Sequence, residues 1–346
     1  MSFKVKVNYY RRRFMRFLTK NIGENSKVSF KTTDYSEIKK VLLVRPNHRL
    51  GNQLLLTPLV QEVINTFPEC KIDLFVKGGV ANPVFENYNA VGKIKELPKK
   101  PFKHIFKYIW CWISIKKDKY DLVINADKSS SSGRLLTQMA KAKYKVFGDI
   151  NEQIDSNIND YKHISKYPIY NLRYFLANDS IKKSDLPLLD IKLSTAEITK
   201  GKEILDAIVK NEKKTICIYT NATGKKCYSE DWWETFYARL KEKYKMYNII
   251  EMLPIENISK ISFKAPHFYS KDIREMGAII NNTVVFISAD NGVMHLASAS
   301  QTPTVGFFSR KNINIYKPYG NGSIAIDTNS TSIDEWIIKI DKILKS

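Results

Sequence analysis

Cysteine is nearly absent from this chain, and the four present, Cys70, Cys111, Cys217 and Cys227, lie far apart with no C-x-x-C pair. That spacing argues against a disulfide framework and against a structural zinc site, so four reduced, mostly packed thiols are expected. Glycine (14) and proline (12) are scarce for 346 residues, and no fixed-period repeat or low-complexity tract occurs, which excludes collagenous, mucin-like and disordered classes. No apolar run approaches the length of a membrane span, and the amino terminus lacks the apolar core of a secretion signal. A cytoplasmic location is therefore expected. Acidic residues are the last shortage: 35 Asp and Glu against 56 Lys and Arg leave a formal net charge of +21. Such a balance calls for a polyanionic neighbour, whether nucleic acid, anionic membrane or phosphorylated substrate, without choosing among them.

What the chain does contain is length enough for two cores, since single domains run to roughly 150 residues. Residues 1–35 form a basic arm. Its first thirty positions carry eight Lys or Arg and one acid, interleaved with Phe3, Tyr9, Tyr10, Phe14 and Phe17, a mixture suited to an anionic membrane surface. Beyond the arm, strand-like runs alternate with helical ones, the pattern of a parallel sheet covered by helices. VLLV (41–44), KIDLFV (71–76) and YDLVIN (120–125) read as strands of an N-terminal domain over 36–188. Residues 101–117 read as a helix with Phe102, Ile105, Phe106, Ile109, Trp110 and Ile113 on its core stripe, leaving Tyr108 and Trp112 off it among lysines and so exposed; a core helix whose outer edge also touches membrane or a lipid acceptor is the second, compatible reading. The extended stretch SDLPLLDIKLS marks the connection, and the alternation restarts over 189–346 with TICIYT, NIIEML, VVFIS and TPTVGFF as strands and an amphipathic C-terminal helix. Two Rossmann-like parallel-sheet halves of the α/β class, facing each other across a cleft, are the expected architecture, with ligands at the carboxyl ends of the strands.

Three stretches follow a strand, hold polar residues in a turn and open a helix. In VVFISADNGVMHLASA, Asp290 ends the strand, Gly292 allows close backbone approach, and the helix N-terminus suits a phosphate. Asp290 or Asn291 could equally be an ordinary helix cap, and His295 a packed core histidine. In YTNATGKKCYSEDWWETF, Lys225 and Lys226 sit where an ammonium could neutralise a diphosphate, while Trp232 and Trp233 suit packing or a base pocket. In VLLVRPNHRLGNQLLLTP, the turn collects Arg45, Asn47, His48, Arg49, Asn52 and Gln53.

Together these blocks resemble glycosyltransferase family 9, the bacterial lipopolysaccharide heptosyltransferases, from about residue 40 onward. The opening block is similar to the family's strand, arginine and glycine turn and T-P helix. NATGKKCYSEDWWETF is similar to its A-T…K-x-W-P-x-E block, with Lys226 in the lysine position, and ADNGVMHLASASQTPTVGFF resembles its D-T-G-x-M-H-L-A…P-T-V block. The resemblance implies a GT-B fold and an inverting transfer with no metal and no cofactor. The substrates would be ADP-heptose, or another nucleotide sugar, and a lipid-linked anionic saccharide of the lipopolysaccharide inner core. It places Lys226 and Thr223 at the donor, Asp290 at the donor sugar, and Asn291, Gly292 and His295 at the pyrophosphate. It also implies peripheral association with the inner face of the inner membrane.

Two departures stand out. The family's opening turn reads G-D, and that aspartate is its proposed base; here Asn52 holds the position. An amide cannot take the proton, and loss of a positioned base removes on the order of 10²–10⁴-fold in rate. Asn52 then orients the acceptor hydroxyl, His48 and Asp127 are substitute bases, and Arg45, Arg49 and Gln53 are the acceptor-binding set. The family threonine after Asp290 is Asn291. A protein that binds sugar nucleotides without turnover is the alternative left open by Asn52. A nucleic-acid binder is disfavoured, because the basic residues spread over many loops and form no recognisable module.

Overall fold

Short runs of Val, Ile and Leu bounded by polar turns form strands covered on both faces, as a parallel sheet requires. The computed structural model describes Tyr10, Arg13, Phe17, Thr19, Ile22, Gly23 and residues 35–100, 103–177 and 185–345. The basic arm falls almost wholly outside these residues, as does Phe102. In chain order the first half holds β1 (Lys40–Val44), α1 (Leu50–Leu54), α2 (Thr57–Thr66), β2 (Lys71–Lys77), α3 (Ala81–Phe85), β3 (Val91–Leu97), α4 (Ile105–Lys117), β4 (Lys119–Asn125), α5 (Ser131–Met139), β5 (Lys141–Val146), α6 (Glu152–Asn157) and α7 (Tyr167–Leu176). The second half holds α8 (Thr195–Val209), β6 (Thr215–Tyr219), α9 (Glu230–Lys243), β7 (Asn248–Met252), β8 (His267–Phe268), α10 (Ile273–Asn281), β9 (Val285–Ala289), α11 (Gly292–Ala299), β10 (Thr304–Phe308), α12 (Ile313–Tyr316), β11 (Ile324–Asp327) and α13 (Ile333–Lys345).

Two parallel sheets result, ordered β3-β2-β1-β4-β5 and β11-β10-β9-β6-β7-β8. The chain divides into unit 1 (Met1–Arg49, Pro58–Asn82, Tyr88–Pro187) and unit 2 (Leu50–Thr57, Pro83–Asn87, Leu188–Ser346). Unit 2 therefore borrows two short pieces from the first half. Each sheet reverses its winding direction once, between β1 and β4 in unit 1 and between β6 and β9 in unit 2. Such reversals open a crevice at the strands' carboxyl ends, where ligands of doubly wound sheets bind.

Apolar side chains from both faces of each sheet build the cores. In unit 2, Ile216, Ile218, Val285, Ile287 and Phe307 meet Trp233, Phe236 and Leu240 of α9 and Trp336 and Ile340 of α13. Trp232 stacks on Tyr228 at 4.1 Å and meets Trp336 at 5.3 Å, so the tryptophan pair packs. In unit 1, Leu42, Val44, Phe75 and Val123 pack with Leu136 of α5 and Cys111 and Ile115 of α4. Four cysteines are free thiols, three of them buried; burial pushes Cys70 and Cys111 each up to about 11.

Helix α4 faces the opposite way from the sequence expectation. Tyr108 and Trp112 pack on the core, Trp112 edge-on to Phe75 at 5.8 Å, whereas Ile105, Phe106, Ile109, Trp110 and Ile113 are exposed. Both faces of this helix are apolar, so spacing cannot choose between them. Small Cys111, buried between Tyr108 and Ile115, lets that side come close to the sheet. Strands β3, β5, β8 and β11 carry no sequence expectation. In β3 and β5, lysines alternate with half-buried residues, as edge strands do to resist pairing with other chains. No described helix is long and apolar enough to cross a membrane.

Candidate functional site

At the switch point of unit 2 the two strand ends are joined by polar side chains. Asn291 caps α11, its Oδ1 accepting from the N–H of Val293 (2.8 Å) and Met294 (2.9 Å). Its Nδ2 donates to the Asn221 carbonyl beyond β6, at 3.1 Å. One amide thus fixes the helix start and links the loops after β9 and β6, which a threonine hydroxyl, with a single hydrogen, could not do as fully. The cap also occupies two of the N–H groups that sequence reasoning assigned to an anion. The Gly292 N–H and Lys226 are what this side of the site still presents.

Lys226 sits in a single 3-10 turn, Gly224–Lys226, whose entry at Gly224 has φ +62, a conformation that favours glycine. Its Nζ lies 2.6 Å from Asp290 Oδ2, which also accepts from Asn312 Nδ2 at 2.9 Å. The Asp290 side chain is 5% exposed and that of Lys226 24%, so the carboxylate is held inside while the ammonium reaches solvent. Lys226 also lies over the Tyr316 ring, 5.4 Å from its centroid. An ammonium has three N–H donors, and one bond to Asp290 leaves capacity for an anionic ligand. Thr223 precedes the turn and is exposed.

The glycines at the two helix starts explain part of the opening motif. A Cβ on Gly51 would sit 2.8 Å from His295 Cδ2 and 3.3 Å from Gly292 Cα, so α1 approaches the start of α11 only because both positions lack side chains. His295, 4% exposed, backs that contact as a packed ring. Asn52 is half-buried in α1, one residue from this approach.

In unit 1 the switch point is more open. His48 and Arg49 are exposed, and His48 abuts the glycine turn at Gly78 (φ +82), where a Cβ would lie 3.0 Å from that of His48. Asp127 follows β4 and is half-buried; its Oδ1 accepts from the Ser129 N–H at 3.0 Å and hydroxyl at 2.8 Å. Two of the expected acceptor residues are corrected here. Arg45 is 1% exposed and donates to the Ala126 carbonyl at 2.9 Å, which Tyr167 also reaches at 2.8 Å. It therefore ties β1 to β4 from within and offers no face to an incoming phosphate. Gln53 is fully buried in α1 and likewise serves packing. Sequence reasoning misplaces both because it takes long polar side chains near a turn to point out of it.

Sequence reasoning missed Asn312 and Tyr316, whose segment KNINIY carries no motif; only the fold brings it to Asp290. It also missed the cluster at the ends of β6 and β7. There Glu251, fully buried, accepts from Thr220 Oγ1 at 2.5 Å and Ser259 Oγ at 2.6 Å, and burial raises its carboxyl above the usual range. Among the described residues no group of three or more His, Cys, Asp or Glu is gathered as for a metal.

Two parallel α/β sheets of this kind define the GT-B fold of solved glycosyltransferases. The glycosyl transferase family 9 structure from Veillonella parvula superposes with a TM-score of 0.70 at 15% identity, covering 89% of this chain and 97% of that one. The Escherichia coli heptosyltransferase WaaC with ADP gives 0.62 at 14% identity, covering 88% and 99%. Within the sequence, the profile of Glycosyltransferase family 9 (heptosyltransferase) matches residues 270–335, the stretch that contains Asp290, Asn291 and Asn312. Lipopolysaccharide heptosyltransferase 3 of Escherichia coli strain K12 is 23% identical over 291 residues, 78% of this chain and 82% of that protein. The chain thus resembles the heptosyltransferases of glycosyltransferase family 9, in fold over most of its length and in sequence over residues 270–335.

Proposed function

We propose that the protein transfers a heptose from ADP-heptose to the inner core of a lipid-linked, anionic lipopolysaccharide acceptor, with inversion at the anomeric carbon and without a metal or other cofactor. The observation that carries this reading is the Lys226–Asp290 pair with Asn312, at the carboxyl ends of β6 and β9 beside the start of α11. Supporting it, solved relatives of the same fold are described with ADP and with ADP-2-deoxy-2-fluoro heptose, and the 23% identical relative is a lipopolysaccharide heptosyltransferase. In this reading Lys226 and the Gly292 N–H hold the diphosphate, Thr223 lies at its solvent side, and Asp290 accepts from sugar hydroxyls. Asn291 and His295 keep the helix start in place.

The reaction breaks the bond between the anomeric carbon and the β-phosphate oxygen, and the electron pair leaves with ADP. An acceptor hydroxyl attacks the opposite face, and its proton passes to a base. A well-placed donor to the departing phosphate contributes roughly 3 kcal/mol. Asn52 orients the acceptor hydroxyl but cannot take the proton. Asp127 is the base in this proposal, its carboxylate held at the unit 1 switch point by Ser129; His48 is the competing candidate, and Arg49 binds acceptor anions. The enzyme works in the cytoplasm at the inner face of the inner membrane.

The test is transfer by purified protein from ADP-heptose to a set of truncated lipopolysaccharide cores, read by mass spectrometry. A gain of one heptose on one truncation is expected. Tight ADP binding with no transfer from any nucleotide sugar would favour a binder without chemistry, the reading that Asn52 supports.

A further inference from the structure

A helix packed on a sheet ordinarily sends its large apolar side chains inward. Helix α4 sends five outward: Ile105, Phe106, Ile109, Trp110 and Ile113, with Phe106 86% and Trp110 60% exposed. At 100° per residue they fall within an arc of about 140°, a continuous stripe along the whole helix. Lys103, Lys107, Lys116 and Lys117 accompany it, all exposed, and no acidic residue occurs between positions 103 and 117. Lys117 Nζ sits 4.7 Å from the centroid of the Trp110 ring. Asp118, the next acid in sequence, is engaged by Lys40, Lys93 and Lys95, and Glu96, which lies near Lys107, offsets one of the four lysine charges, so the face keeps a net positive charge.

We propose that this outer face of α4 seats the protein on an anionic lipid bilayer. The helix lies in the plane of the surface, with Phe106 and Trp110 at the boundary of headgroups and acyl chains and the lysines among anionic headgroups. Thirteen residues make a helix about 20 Å long, too short to cross the hydrocarbon layer. An aromatic and aliphatic stripe edged by lysines is the composition of a helix that lies on a membrane. Charge selects this occupant over a second copy of the chain, since a two-fold pairing would set the same four lysines against themselves. The inference deepens the transfer reading, because a lipid-linked acceptor is met at such a surface, but binding can be measured without turnover.

The experiment is co-sedimentation of the full-length protein with vesicles of phosphatidylethanolamine and phosphatidylglycerol, beside vesicles of phosphatidylcholine alone. The wild type is expected to bind the anionic vesicles, and the exposed-site double variant F106E/W110E to bind them about tenfold less or weaker, with unchanged circular dichroism. Brominated lipid should quench wild-type tryptophan emission, and the quenching should fall in Trp110→Phe, which keeps the stripe apolar. Transfer to a delipidated, soluble acceptor should stay within about twofold in F106E/W110E, since the substitutions are confined to the docking face. Wild-type binding by the double variant, or no binding by the wild type, overturns the proposal. So does a wild-type dimer that F106E/W110E dissociates while vesicle binding persists. Vesicle binding lost in F106E/W110E, with no sugar transfer by the wild type, would uphold the docking face and sink only the transferase reading.

Discussion

The switch points of the two sheets are built to opposite designs. In unit 2 the loops after β6 and β9 are linked by Asn291, and the charged pair Lys226–Asp290 is anchored further by Asn312. In unit 1 the corresponding strand ends are joined beneath the surface by Arg45, while His48 and Arg49 stand exposed above them. A site whose partner is a chemically constant diphosphate benefits from charges fixed before binding, because no reorganisation is then needed as charge develops. A site that must receive a large saccharide gains from exposed side chains that can adapt. The contrast teaches where substitutions should be severe and where they should be graded.

The sharpest way to break this comparison is Lys226→Ala, which should lower kcat/KM by about 10³-fold, as expected for loss of a fixed donor to the leaving phosphate. Steady-state transfer measures it, and a loss under threefold would remove the donor assignment. The rigidity of unit 2 also rests on Arg274, 6% exposed, which donates to Glu197 and to the carbonyls of Pro83, Ile191 and Lys192. Arg274→Met should reduce the unfolding free energy by about 2 kcal/mol in urea titration, because the carbonyls of Pro83, Ile191 and Lys192 and the half-buried Glu197 carboxylate lose their shared donor.

The same pair gives a pH signature. The Arg274 guanidinium holds the Glu197 carboxyl down to about 2, against 4.5 ordinarily. A carboxyl depressed in the folded state contributes stability that is fully present above its unfolded value and is lost as pH falls toward the folded one. Thermal unfolding should therefore show wild type losing stability between about pH 4.5 and 2 more steeply than Glu197→Gln.

On the unit 1 side, Asp127→Asn should lower kcat by about 10²-fold, with His48→Ala affecting it by less, as expected if the carboxylate is the base. The reverse order, with the pH–rate profile altered in His48→Ala, would transfer the role to His48. The smallest effect is expected of Asn291→Asp. It keeps the cap but loses the donor to the Asn221 carbonyl, which should raise KM for the donor severalfold through a loss of about 1 kcal/mol.

How much of this could be read from the residues follows the same division. The strands around Asp290 and Lys226 are short buried runs with polar ends, so local pattern alone placed both groups at a sheet's carboxyl edge. Their pairing was not legible, since Lys226 and Asp290 lie 64 positions apart and only the β6–β9 adjacency joins them. Arg45 turns inward where its place in a polar turn suggests an outward side chain, because sequence gives a residue's position in a turn but not its direction. The orientation of α4 was inverted because the helix offers two apolar faces, and shape complementarity, which has no period, decided between them. Edge strands β3 and β5 went unseen because their lysines interrupt the apolar pattern.

The path of the chain limits how the molecule can be dissected. Residues 50–57 and 83–87 belong to unit 2, although most of that unit begins at Leu188. Thr57 Oγ1 accepts from the Asp190 N–H at 3.1 Å, and Gly51 meets the start of α11. No single cut can therefore release either half intact, and a fragment expressed from Leu188 onward would lack the pieces that complete its own packing. During synthesis those two segments emerge long before their partners and must wait for them, so unit 2 closes late, through contacts of high sequence separation.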